Sequence, residues 1–136
     1  MKTNAIWYGI AVAILSMLCL VQIRPNTIRQ NDAAALGKLR LLIEAQSEYA
    51  SKNPGKGFSC NLADFMRRDE YSGYRFLLEC RGGDGLKASG YELVVQPLKR
   101  GTTGIRTFCA TELNQIWYDD TGSARECLTR RRAIFQ

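Results

Sequence analysis

The residues of this chain whose chemistry reads most directly are its five cysteines: Cys19 inside an apolar run near the amino terminus, then Cys60, Cys80, Cys109 and Cys127 spread over the remainder. None forms a C-x-x-C pair, so an all-cysteine zinc site would have to gather four scattered thiolates. Scattered cysteines in a small domain behind a membrane segment point instead to two disulfides, and hence to an oxidising, extracytoplasmic compartment. Three pairings are open. Cys60 with Cys80 and Cys109 with Cys127 is favoured, because each closes a loop of about 20 residues, worth about 3 kcal/mol by chain entropy, and each can pin a strand to a neighbouring loop. Cys19 reads as a small apolar residue of a membrane helix, with lipid attachment as the alternative.

The sequence contains no histidine, which removes the commonest general base near neutral pH and the commonest metal ligand. Asp119-Asp120 with Thr121 offers hard oxygen donors of the kind calcium takes; a hydrogen-bonded turn built on the Asp side chains and Gly122 is the favoured alternative. Glycines 82, 83, 85 and 90 lack the strand-to-helix context and the GK[ST] of a phosphate loop, and read as turn residues. Arg130, Arg131 and Arg132 have the charge to meet an anionic partner, lipid head groups or DNA, although a solvated, disordered tail is the plainer reading. Tyr74, Phe76, Tyr91, Phe108, Trp117 and Tyr118 fit a sheet core as well as a stacking platform. Nothing assembles a nucleophile, a base and a stabilising pocket, so the expectation is no enzyme, no cofactor and no metal.

The elements that position these residues begin with AIWYGIAVAILSMLCLVQI, Ala5 to Ile23, about 19 residues without a formal charge, close to the roughly 20 that a bilayer crossing needs. A cleaved signal peptide is the rival, but no A-x-A site follows. The chain carries 19 Lys+Arg against 13 Asp+Glu, net +6, and every base but Lys2 lies beyond this run. The positive-inside count would place the domain inside, while the four distal cysteines place it outside; the cysteines are given precedence. Pro25 is expected to break or kink the helix. A second helical stretch then carries Leu36, Leu39, Ile43, Gln46 and Ala50 at helical spacing, flanked by Leu42 and Tyr49, a one-sided stripe ending at Pro54-Gly55. Strand alternation follows at 73–80, 91–97, 106–111 and about 115–118, joined by turns, which predicts an antiparallel four-stranded meander packed on the helix, an α+β fold.

Asn31-Asp32-Ala33-Ala34-Ala35-Leu36-Gly37-Lys38-Leu39-Arg40, Ala45-Gln46, Tyr49-Ala50, Asn53-Pro54 and Gly57-Phe58 resemble the headgroup helix of type IV pilin-like proteins of the acidobacterial kind. Gly73-Tyr74-Arg75-Phe76, Gly90-Tyr91-Glu92-Leu93 with Pro97, Gly101-Thr102-Thr103-Gly104 before Arg106-Thr107-Phe108, and Ile116 to Tyr118 leading into Thr121-Gly122-Ser123-Ala124 continue the likeness in order. The resemblance implies a long amino-terminal helix, apolar then amphipathic, whose second half packs on an antiparallel sheet through Leu36, Leu39, Leu42, Ile43 and Tyr49. The processing junction usual in polymerising members, with its following Phe and Glu, has no counterpart here.

The expectation is therefore a transmembrane anchor over 1–24, a pilin-like domain over 25–128 and a basic tail over 129–136. It would sit in the cytoplasmic membrane as a single-pass protein with its domain outside. Its role would be structural, as a minor pilin, a pseudopilin or a non-assembling relative serving a type IV pilus or type II secretion system, with other pilin-like subunits as partners. The alternative is an exported, disulfide-braced module that binds a ligand, a surface or DNA through a basic face.

Overall fold

A computed structural model describes the backbone of residues 3–82 and 87–133, and the side chains of residues 27–82 and 87–132. One long helix, α1 (Thr3–Lys52), is followed by a 3₁₀ turn at Leu62–Asp64 and by β1 (Glu70–Tyr71), β2 (Tyr74–Arg81), β3 (Gly90–Pro97), β4 (Thr107–Thr111) and β5 (Ile116–Asp119). A short helix, α2 (Ala124–Arg130), and a final strand, β6 (Arg132–Ala133), complete the chain. The helix runs through Pro25 without the expected break. Among the described residues no helix is long and apolar enough to cross a membrane; the side chains of the expected anchor, Ala5 to Ile23, lie outside them.

The strands form one antiparallel sheet in sequence order, each paired with the next. The four expected strands are its centre, and the count of four is corrected to six: two-residue strands close both edges. β1 joins β2 through Ser72 and Gly73, both with positive φ (48° and 75°), the backbone that two-residue hairpins favour because it matches strand twist. In β2 and β3 the alternation works as read from sequence. Tyr74 and Phe76 stand opposite Pro97 and Val95, and Cys80 stands opposite Tyr91.

One face of the sheet buries Tyr74, Phe76, Tyr91, Leu93, Val95, Phe108, Ala110 and Ile116 against Ala35, Leu39, Leu42 and Ile43 of α1. Each such side chain fully removed from water contributes about 1.5–3 kcal/mol, so this contact is the principal core. The other face is covered as well, which the sequence reading did not foresee: Val94, Cys109 and Trp117 pack with Cys127, Ala124 and Leu128 of α2. Every residue of β4 is buried as a result, as expected for a strand with both faces covered. The expectation of a disordered tail from 129 is corrected too, since α2 runs through Arg130 and β6 pairs Arg132 with Tyr118.

Candidate functional site

The joint between α1 and the rest of the domain is held by specific polar contacts toward both ends. Toward the amino-terminal side, Tyr74 Oη donates to Asp32 Oδ1 at 2.6 Å and Asn31 Nδ2 donates to the Thr103 carbonyl at 2.9 Å. The Tyr74 ring lies directly over Gly104, where an added Cβ would fall 2.1 Å from the hydroxyl oxygen; only glycine admits the ring there. Burial, and then the hydrogen bond to the Asp32 carboxylate, push the Tyr74 phenol well above its ordinary range. Toward the other end, the Gln46 amide binds the backbone of Ser59, and Tyr49 meets Phe65 edge to face, with centroids 6.1 Å apart. Of the expected packing residues, Leu39, Leu42 and Ile43 are buried, Leu36 is half-buried against the core, and Tyr49 flanks it.

Two disulfides lock this frame, Cys60–Cys80 and Cys109–Cys127. The first ties the loop after α1 to the end of β2. The second fastens α2 to β4, and both its cysteines are fully buried.

The Asp119-Asp120 pair is a turn. Asp119, 2% exposed, accepts from the Thr121 and Ser123 amides at 2.9 and 3.0 Å and from the Thr121 hydroxyl. Burial alone would raise its carboxyl, but the Thr121 hydroxyl and the backbone amides of Ser123, Thr121 and Gly122 outweigh that and hold it below the usual range. Asp120 takes Arg106 Nε at 3.0 Å and Arg132 Nη1 at 3.6 Å. No group of three or more His, Cys, Asp or Glu able to hold a metal occurs among the described residues. Each arginine of the carboxyl-terminal run has a partner inside the fold: Arg130 pairs with Glu126, Arg131 lies 5.1 Å over the Trp117 ring, and Arg132 reaches Asp120. The six aromatic residues weighed as a stacking platform are dispersed through the two cores, Trp117 on the α2 face and Tyr118 half-buried. Of the weighed glycines, Gly82 has a positive φ and Gly90 packs on the Glu112 carboxylate, while Gly83 and Gly85 lie outside the described residues.

Three features were not foreseen from the sequence, two at this joint and one on the other face of the sheet. The Asp32–Tyr74 bond spans 42 positions and leaves no local signal. Gln46 stood as one polar member of an apolar stripe, which was itself the signal, because a buried amide needs partners. α2 was announced by Ser123-x-x-Glu126, a capping box, and Ser123 Oγ does accept from the Glu126 amide.

The remaining surface along α1 is open. A cleft of about 560 Å³ lies beside β1, lined by Lys38, Phe65, Met66, Arg67, Arg68 and Tyr71 among others. Another of about 430 Å³ lies beside β5, between Arg40, Glu44, Ser47 and Asn114. Between them Leu41 is 58% exposed. No protein-family model, curated protein or solved structure matches the chain.

Proposed function

We propose that this chain is a membrane-anchored, pilin-like structural protein, a minor pilin, a pseudopilin or a non-assembling relative of a type IV pilus or type II secretion system. The observation that carries the reading is a single helix, Thr3–Lys52, that begins with the apolar run and whose later half clasps an antiparallel sheet. A helix of this length extends about 75 Å at the standard rise, against about 27 Å for an eight-residue strand of the sheet. The two disulfides support an oxidising compartment for the domain. The apolar run supports an anchor, and the exposed Leu41 on the free face of α1, flanked by clefts, supports contact with neighbouring subunits.

The test is mechanical shearing of cells that express the full chain, followed by detection in the filament and membrane fractions. Assembly predicts recovery with sheared filaments, and Leu41→Glu should abolish that recovery while the protein keeps its disulfides. Retention in the membrane as a monomer removes filament membership and leaves the non-assembling relative. Release as a soluble protein removes the anchor and the reading with it.

A further inference from the structure

The end of the sheet nearest the amino-terminal half of α1 carries a loop with an unusual surface. Asn31 binds the Thr103 carbonyl and Asp32 binds Tyr74, so the loop Leu98 to Arg106 lies at the height of helix residues 31 and 32. At the standard rise that height is only about 12 Å beyond Ile23, where the apolar run ends. The head-group layer occupies about 5–8 Å on each side of the hydrocarbon core, so side chains of a loop at this height come within its reach.

The loop's backbone is held by hydrogen bonds within it and to the β1–β2 turn. The Leu98 amide donates to the Gly73 carbonyl at 2.9 Å, the Lys99 amide to Thr103 Oγ1 at 2.9 Å, and the Gly101 amide to the Gly104 carbonyl at 2.7 Å. Yet Leu98 and Ile105 are each left 44% exposed. The loop also carries Lys99, Arg100 and Arg106, and α1 carries Arg29 two residues before Asn31, all exposed. Arg106 is paired with Asp120 and Arg100 is bound to its carbonyl; Lys99 and Arg29 have no ion-pair partner among the described residues. Asp32, the acid at this height on α1, is occupied by the Tyr74 hydroxyl. Aliphatic side chains accompanied by cations on an ordered loop match the head-group layer of an anionic bilayer, where phosphates attract the cations and the partly dehydrated glycerol region accepts apolar contact.

We infer that the loop Leu98 to Arg106 is a lipid-docking rim: it rests on the head-group layer of an anionic membrane surface, with Arg29, Lys99, Arg100 and Arg106 meeting the phosphates and Leu98 and Ile105 packed against the outer side of that layer. The rim fixes the tilt of the domain on α1. This inference rests on the anchored reading above, and its test separates the two.

The full chain is reconstituted into vesicles of phosphatidylcholine alone and of phosphatidylcholine with phosphatidylglycerol, and hydrogen exchange is followed by mass spectrometry. Exchange of the loop amides is expected to be about tenfold slower in the anionic vesicles, while the turn around Asn114, at the opposite end of the sheet, exchanges equally in both. Arg29→Glu combined with Lys99→Glu, and separately Ile105→Gln, should erase the difference; the positions are exposed, and intact disulfides by mass verify the fold. Equal exchange in both lipids, or a difference that the variants leave unchanged, overturns the rim while protein resistant to alkaline carbonate keeps the anchor. Extraction of the protein by carbonate from both vesicles overturns the anchored reading and the rim together.

Discussion

The side-chain amide of Gln46 grips the backbone of Ser59 from both sides, with Nε2 donating to the Ser59 carbonyl at 2.8 Å and Oε1 accepting from the Ser59 amide at 3.0 Å. Gln46 is 1% exposed and Ser59 is buried, so this pair does for the loop what a strand partner would do. It holds the loop against α1 one residue before the disulfide at Cys60. Gln46→Leu fills similar volume but leaves a buried N–H and a buried C=O unpaired, each costing about 1–3 kcal/mol. The expected loss is about 2–4 kcal/mol, read from the urea midpoint with disulfides intact. A loss below about 0.5 kcal/mol, the range of ordinary surface changes, would show that Ser59 does not depend on this amide.

What the sequence disclosed followed from local physics. Alternation placed Tyr74 and Phe76, and Tyr91, Leu93 and Val95, on the core face, where they lie, because strand side chains alternate strictly between faces. The helical stripe found Leu39, Leu42 and Ile43 for the same kind of reason. Loops of about equal length pointed to the disulfide pairing that the structure has. The misses are elements too short to show a period: β1 and β6 have two residues each and α2 has seven. Missing α2 hid the second face of the sheet and left Arg130 to Arg132 looking like a free tail. The clamps Asp32–Tyr74 and Gln46–Ser59 are products of tertiary packing, and nothing near either residue in the chain marks its partner.

Asp119 ties the sheet to α2 through its turn, and its carboxyl is held below the usual range. A folded-state value lower than the unfolded one, about 3.9, contributes stability that is fully present above the unfolded value and is lost as pH falls through the folded one. Asp119→Asn should therefore cost about 1–3 kcal/mol near neutrality and show a shrinking deficit below about pH 4. Denaturant midpoints at a series of pH values measure both. A deficit that stays constant into strong acid would remove the carboxylate charge from the account.

The disulfides should part company under mild reductant. Cys60 is exposed at the surface, whereas Cys109 and Cys127 are fully buried between α2 and the sheet. Thiolate attack needs access to a sulfur, so Cys60–Cys80 should open in the native fold and Cys109–Cys127 only on unfolding. Thiol trapping with peptide mass mapping reads the order. Replacing Cys109 and Cys127 together with serine should cost about 2–5 kcal/mol, the larger part of it expressed as loosening of α2 from the sheet. Simultaneous labelling of all four cysteines would mean that the second bond is reachable without unfolding.

The alkaline limb of stability should belong to Tyr74 and Tyr91. Burial and the Asp32 bond raise the Tyr74 phenol far above its ordinary value. Burial, with the Glu112 charge second, pushes Tyr91 up to about 12. A raised folded-state value gives stability that is complete below the unfolded tyrosine value, about 10, and that is lost as pH rises from there through the folded value. The wild-type chain should hold its midpoint up to about pH 10 and fall steeply above it. Tyr74→Phe removes the hydroxyl and leaves the ring on Gly104, so it should cost about 1.5–3 kcal/mol at neutral pH, the range of a hydrogen bond to a charged partner, and flatten the alkaline fall because one of the two raised phenols is gone. Ultraviolet difference titration near 295 nm should then show one fewer late-ionising tyrosine. An unchanged alkaline slope in the variant would assign the fall to other groups and separate the Asp32 clamp from the pH response.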